Sequence, residues 1–270
     1  MRTLVHLSDI HFGHIDYATI DPLIRTIWQI KPDVVAVSGD LTQRARAGQF
    51  QEARTFLDAL PKPQIVVPGN HDVPLYNVFA RFFSPLRKYL RYITDDLQPF
   101  YLDEEIAVLG LNTARSLTIK DGRVNEEQIA HIRERLCPLG DSVVSLLVTH
   151  HPFDLPEGSY DELAGRSRQA MRMLEGCGAD LLLSGHFHLT SIAARYASPE
   201  HSVILVQAGT ATSTRGRGEN NSFNVLRIEN PCVRIERWSW EPQTQIFSIA
   251  SKEQFSRNGS RWDKEAVLPA

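Results

Sequence analysis

The chain has 270 residues, a net charge of -3, and 42% hydrophobic and 23% charged residues, values that fit a folded domain and argue against intrinsic disorder. A charge this close to neutral excludes bulk attraction to a nucleic-acid polymer or an anionic membrane as the basis of function. No apolar run approaches the roughly 20 residues of a membrane span. Only Leu4-Val5-His6-Leu7 separates Arg2 from the first polar motif, so no signal peptide is predicted. Cys137, Cys177 and Cys232 form no C-x-x-C pair and are expected as reduced thiols of a cytoplasmic protein.

In chain order, residues 3–7 read as a strand, 9–16 as a loop and 20–30 as an amphipathic helix. Residues 34–37 form the next strand, 48–60 a helix and 64–67 a third strand stopped by Pro68-Gly69. Strands separated by helices of about 10–15 residues predict β-α-β units and a mainly parallel sheet. From 74 to 98 the pattern changes. Phe79, Phe82, Phe83, Leu86, Tyr89, Leu90 and Ile93 fall at helical spacing, which predicts a helical excursion packed over the sheet as core. Strand character returns at 106–111, 125–136 is helical, and 143–148 is a strand. A helix is predicted at 166–175 and a strand at 179–183. After His188 the helices stop. Candidate strands at 191–196, 202–207, 223–228 and 233–240 predict a second, more antiparallel sheet packed on the first. The segment from Ser251 is polar with scattered aromatics and carries no decisive pattern. No linker forces a division, so residues 1–270 are expected as one domain, strand-rich from about 190.

Five motifs follow five of these strands: Asp9-Ile10-His11, Gly39-Asp40, Gly69-Asn70-His71-Asp72, Thr149-His150 and Gly185-His186-Phe187-His188. In an open α/β sheet, ligands bind outside the carboxyl ends of the strands, so residues spread from Asp9 to His188 can converge. The donors are two carboxylates (Asp9, Asp40), one amide (Asn70) and four imidazoles (His11, His150, His186, His188). That is too many for one tetrahedral ion and suits two ions sharing a carboxylate. Mixed N and O donors without thiolate point to Mn, Fe, Zn or Ni rather than Ca or Mg. Two ions about 3.5–4 Å apart can activate a bridging hydroxide for in-line displacement at phosphorus. Gly39, Gly69 and Gly185 precede donors, where turns are expected to need conformations other residues resist.

The ordered set resembles the calcineurin-like metallophosphoesterase superfamily, with every ligand position filled. The resemblance implies an α/β/β/α two-sheet sandwich. It implies one ion held by Asp9, His11, Asp40 and His188, and a second by Asp40, Asn70, His150 and His186, with Asp40 bridging. His71 would face the scissile phosphate as a catalytic residue, stabilising charge or protonating the leaving oxygen, and Asp72 would orient it. Within the superfamily the chain is most similar to bacterial class III cyclic nucleotide phosphodiesterases, through Asp9-Ile10-His11-Phe12-Gly13, Gly39-Asp40-Leu41-Thr42 and its length. It departs at Asn112-Thr113, where many relatives carry Asp-Ser; this bears on substrate specificity. A homodimer is compatible with the resemblance.

Substrate contacts are expected among Asn70, His14, Asn112, His151 and the arginines of the 210–221 loop. Arg215 and Arg217 suit a phosphate bidentately, against the alternative of a mobile surface loop. His6, His131 and His201 read as structural, and Trp238, Trp240 and Trp262 as buried in the second sheet or a subunit contact. The expected activity is dimetal-dependent hydrolysis of a small phosphodiester: 3′,5′-cAMP first, then 2′,3′-cyclic nucleotides. A glycerophosphodiester or phospholipid diesterase, or a phosphomonoesterase, uses the same core, and the 74–98 excursion would supply an apolar lid for a lipid. A scaffold without catalysis would lack donors or His71, and no Gly-x-Gly-x-x-Gly follows the first strand to bind a dinucleotide.

Overall fold

Strands β1 (Arg2–Leu7), β2 (Val34–Ser38) and β3 (Gln64–Val67) pair in parallel. Helices α1 (Ile20–Ile30) and α2 (Ala47–Asp58) form the crossovers between them. The computed structural model describes residues 1–115, 122–154, 171, 179–198, 201–215 and 218–265. Helix α1 carries Asp21 and Pro22 in its first turn, and it stops where Lys31 turns left-handed at φ 54°. Its Leu23 and Ile27, with Phe50, Ala53 and Leu57 of α2, bury one face of the first sheet against Val5, Leu7, Val35 and Val37.

A second sheet begins at β4 (Phe100–Leu102) and continues through β5 (Ile106–Leu111), β6 (Val144–Thr149), β7 (Leu181–Ser184), β8 (Ser191–Ser198) and β9 (His201–Gln207), in the order β4-β5-β6-β7-β9-β8. Helix α5 (Glu126–Leu136) covers its outer face with Ile129, Ile132 and Leu136. Its start is fixed by a reciprocal cap, Asn125 Oδ1 accepting from Gln128 N and Gln128 Oε1 accepting from Asn125 N. Between the sheets, Leu4, Val34, Ala36 and Val67 meet Val108, Leu146, Leu183 and Val206 in one buried cluster. The result is the expected α/β/β/α sandwich.

The late strands are placed otherwise than the sequence predicts. β8 and β9 finish the second sheet, whereas β10 (Ser222–Glu229), β11 (Cys232–Glu241), β12 (Ile246–Asn258) and β13 (Arg261–Lys264) extend the first, in the order β13-β12-β11-β10-β1-β2-β3. The loss of helices after His188 marks a switch from parallel crossovers to hairpins, not a change of sheet, since antiparallel neighbours need only a short turn. Residues 251–258 and 261–264 of the polar segment lie in these strands, anchored by buried Phe255 and Trp262. Trp240 is buried as well, and both tryptophans lie in the first sheet rather than the second.

The 74–98 excursion is a second correction. Ser84-Pro85 divides it into α3 (Val78–Phe83) and α4 (Arg87–Tyr92), because proline cannot continue the preceding helix. Leu86, Tyr89 and Ile93 join the core of α2, and Tyr89 Oη donates to the Val66 carbonyl at 2.9 Å. Phe79, Phe82 and Phe83 instead face solvent, together with Tyr76 and Val78. The helix predicted at 166–175 lies outside the described residues apart from Met171.

The cysteines give a third correction. Cys137, which caps α5, is disulfide-bonded, while Cys232 is a free thiol. A bridge requires proximity in space, which C-x-x-C spacing does not report, so the thiols do not argue for a reducing compartment. No described helix is long and apolar enough to cross a membrane.

Candidate metal centre

The donors occupy the carboxyl ends of parallel strands: Asp9 after β1, Asp40 after β2, Asn70 after β3, His150 after β6, and His186 and His188 after β7. The backbone turns sharply there. Asp9, His11, Asp40, His186 and His188 all have φ between 52° and 79°, a left-handed conformation costly for side chains with a Cβ. The surrounding bonds enforce it. Asp9 N donates to Gly39 O at 3.1 Å and His11 N to Asp40 O at 2.9 Å. From the far end of the chain, Thr210 Oγ1 donates to Asp9 O and Thr212 Oγ1 to Ile10 O.

Of the three glycines, only Gly39 needs its conformation, at φ 93°. Gly69 and Gly185 are required by close approach. A Cβ on Gly69 would stand 2.1 Å from Asp40 Oδ1, and one on Gly185 would stand 1.8 Å from Ser8 Oγ.

Each carboxylate spends one oxygen on the protein and aims the other at imidazoles. Asp9 Oδ2 accepts from Ser8 Oγ at 2.6 Å and His186 N at 3.0 Å, leaving buried Oδ1 with no hydrogen bond, 3.1 Å from His188 Nε2. Asp40 Oδ1 accepts from His71 N at 2.8 Å. Asp40 Oδ2 lies 3.7 Å from His11 Nε2 and 3.4 Å from His150 Nε2, between the two groups of donors. On one side His11 Nε2 and His188 Nε2 are 3.1 Å apart. On the other, Asn70 Oδ1 is 3.1 Å from both His150 Nε2 and His186 Nδ1.

The tautomers follow from the outer nitrogens. His150 Nδ1 donates to Ser38 O at 2.8 Å and His188 Nδ1 to Arg215 O at 3.2 Å, so both turn an Nε2 lone pair inward. Lone pairs and carboxylate oxygens converging in a buried space repel one another unless cations sit among them. The donor set therefore fits two ions, one on each side of Asp40 Oδ2.

Without ions, protons take part of that role. Burial opposes ionisation of Asp9 and Asp40, but the facing imidazoles, His188 and His150 first, hold both carboxyls well below the usual range. Burial likewise opposes a charged His150, yet Asp40 raises it to about 9. His186 is pushed down to about 4 by burial and by the charge on His150.

His71 stands beyond the donors, its ring edge-on to His11 at 4.9 Å between centroids. Its Nδ1 donates to the Gln43 carbonyl at 3.0 Å, which leaves Nε2 for chemistry. Here the implied role of Asp72 is corrected. Its oxygens accept from Leu41 N, Thr42 N, Thr42 Oγ1 and Gly69 N. Asp72 ties the Asp40 and Asn70 turns together, and a backbone carbonyl holds His71. Burial and the nearby Asp40 raise the Asp72 carboxyl to about 6 despite those donors.

The remaining candidates separate. His151 lies beside His186, ring centroids 4.7 Å apart, with Nδ1 2.8 Å from Thr113 Oγ1. Asn112 is buried, its Oδ1 accepting from Ala114 N. His14 is exposed and bound to Thr214 Oγ1. Arg215 reaches His71, Nη1 to Nε2 3.4 Å, and also Gln43 Oε1 at 3.3 Å. Arg217 lies outside the described residues. Sequence reading missed Gln43 and Arg44, which directly follow Gly39-Asp40-Leu41-Thr42, because neither is a ligand type. Arg44 Nη1 is 3.4 Å from His71 Nδ1. Among the described residues, His151 with His150 and His186 forms one further group of metal-capable side chains, overlapping the same site.

Comparison with known proteins agrees with this geometry. The family model for calcineurin-like phosphoesterase matches residues 2–189. A glycerophosphodiester phosphodiesterase GpdQ of Enterobacter lignolyticus is 28% identical over 179 residues, 60% of this chain and 61% of that protein. A probable cyclic nucleotide phosphodiesterase of Synechococcus is 28% identical over 173 residues, 62% of each chain. The match thus spans about three fifths of either relative. A probable GpdQ of Arcobacter nitrofigilis is 26% identical over 88% of this chain and 89% of its own. Among solved structures, a purple acid phosphatase from yellow lupin superposes with a TM-score of 0.73 at 13% identity, over 95% of this chain and 54% of that one, a likeness of fold alone.

Proposed function

The chain belongs to the calcineurin-like phosphoesterase family, and from that premise we propose that it is a dimetal-dependent phosphodiesterase acting on a small phosphodiester. The observation that carries this reading is Asp40 Oδ2, placed between two groups of inward-facing donors with His71 beyond them. Asp9, His11, Asp40 and His188 would hold one ion, and Asp40, Asn70, His150 and His186 the other. When bound, such ions activate water and neutralise charge on the phosphoryl oxygens; Mn, Fe and Zn suit the N/O donor set.

The protein's own residues do the rest. Asp9 and Asp40 are oriented by Ser8 and by the His71 amide. His71, held by its Nδ1–H bond to the Gln43 carbonyl, presents Nε2 to the leaving oxygen, where it stabilises charge or, once doubly protonated against the burial that lowers its pKa, donates the Nε2 proton. The named relatives divide between glycerophosphodiesters and cyclic nucleotides. A cyclic nucleotide, 3′,5′-cAMP or a 2′,3′-cyclic nucleotide, is the leading substrate of this reading. The exposed Tyr76, Phe79, Phe82 and Phe83 favour a second, a diester with an apolar group such as a glycerophospholipid, because Tyr76 packs against Arg44 next to His71 and exposed aromatic rings suit acyl chains.

The test is a panel of cyclic nucleotides, glycerophosphodiesters and phosphomonoesters assayed with Mn, the products separated chromatographically. Turnover of a diester that is lost on chelation and restored by metal is expected. Hydrolysis that survives thorough chelation would overturn the dimetal reading.

A further inference from the structure

Two guanidinium groups flank His71. Arg44 Nη1 lies 3.4 Å from His71 Nδ1, and Arg215 Nη1 lies 3.4 Å from His71 Nε2. Among the described residues, neither is matched with a carboxylate; their side-chain partners are the Gln43 carbonyl and the Gln43 amide oxygen. Both are positioned from behind. Gln49 Oε1 accepts from Arg44 N, and Lys88 Nζ donates to Ala45 O at 2.7 Å. Buried Gln43 holds Arg215 with its side chain and His71 with its backbone. The Tyr76 ring packs against the Arg44 guanidinium, 5.9 Å from centroid to Cζ.

The two ion positions already supply positive charge for the reacting phosphoryl group. A cyclic nucleotide or a simple diester carries one negative charge, so two further cations exceed what it needs. They also stand on the wrong side for the reacting oxygens: they surround the residue that meets the leaving oxygen. A cationic alcohol such as choline would be repelled there. An anionic leaving group would be held bidentately by guanidinium forks.

Resting on the hydrolase reading above, we propose that Arg44 and Arg215 form a clamp for a leaving group that carries its own phosphate. Beyond the cyclic nucleotides and simple diesters of that reading, the site then also takes diphosphate-linked esters, in which a phosphomonoester departs. In that reaction the oxygen of water bonds to phosphorus and the bond from phosphorus to the bridging oxygen breaks. The departing phosphomonoester keeps the electron pair, its charge is met by the two arginines, and the protons released pass to solvent.

The probe substrates are di(adenosine-5′) diphosphate, from which AMP departs, and bis(p-nitrophenyl) phosphate, whose leaving group has no phosphate. The preference for the first over the second, as a ratio of kcat/KM with Mn, is expected to fall about 10- to 100-fold in Arg44→Gln and in Arg215→Gln, the range for a lost charge-assisted hydrogen bond. Arg44→Lys should recover only part of it. In chelated protein, calorimetry should show AMP binding more tightly than adenosine, and the double Gln variant should erase that difference. An equal fall for both substrates, or AMP binding unchanged in the double variant, would overturn the clamp. Absence of metal-dependent turnover of either substrate by the wild-type protein would sink the hydrolase reading, while the AMP titration still reports on the clamp.

Discussion

The donor cradle and the rim around it are built on opposite principles. Cradle residues are buried or half-buried, five of them are held in left-handed backbone, and they leave almost no space: a methyl group on Gly69 or Gly185 meets a carboxylate or a hydroxyl. The rim, Arg44, Arg215 and Tyr76 taken with the α3 aromatics that follow Tyr76 in the chain, is half-buried or exposed and is held by a few side-chain bonds. On the proposed reading, the cradle would fix which chemistry is possible and the rim what enters. Such a division lets specificity drift without loss of the metal centre.

The sharpest way to break this contrast is to remove a shared donor. Asp40→Ala or Asn70→Ala should abolish metal-dependent hydrolysis while circular dichroism stays near wild type; full activity in either would refute the assignment. Next comes His71→Ala, expected to lower kcat by about 10²–10⁴-fold. The loss should be smaller with a p-nitrophenolate leaving group, which needs no proton, than with an alkoxide. Equal losses for both would mean that His71 stabilises charge rather than donating a proton.

Beneath the cradle, buried His6 bonds Ser38 Oγ at 2.8 Å, and burial lowers its pKa to about 3. The unfolded chain then binds the extra proton as pH falls below about 6.5. Stability from this group is present above that value and is lost toward about 3. Between pH 7 and 5 the loss is about 2 kcal/mol. Chemical denaturation of chelated protein should show that slope, and His6→Gln should flatten it; parallel curves would be the contrary result.

Gly69→Ala tests whether the cradle tolerates a methyl group. Displacement of Asp40 should weaken metal binding about 10- to 100-fold, the scale of a disturbed ligand orientation, measured by titration with Mn. At the rim the effect should nearly vanish. Phe79→Ser and Phe83→Ser should change stability by no more than about 0.5 kcal/mol. A large loss would show that these rings are covered in solution.

The same contrast explains what could be read from the sequence. The cradle was legible because its chemistry is encoded locally: Asp9, Asp40, Asn70, His150 and His186 each follow an apolar run, and strand ends of one sheet must converge. The parallel half of the fold was legible from its alternation. The rim was not, since α3 shows the same apolar spacing as a core helix, and only Pro85 separates the ring-exposing half from the buried one. Gln43 and Arg44 were invisible for another reason. Their significance is a distance to His71, twenty-seven or twenty-eight positions away along the chain. Asp72 was misread because adjacency to His71 suggested a partner, whereas its bonds run to the turn after β2.

The pairing of β1 with β10 carries a consequence for how this molecule is made. Strand β1 is hydrogen-bonded to residues Asn224–Ile228, and the turn bearing Asp9 is braced by Thr210, Ala211 and Thr212. The stretch shared with the family ends at residue 189. A ribosome that has released only that stretch holds every metal donor, yet β1 still presents an open edge, a template for pairing with other chains. The candidate donors are all made well before β10, the strand that closes the sheet beside them.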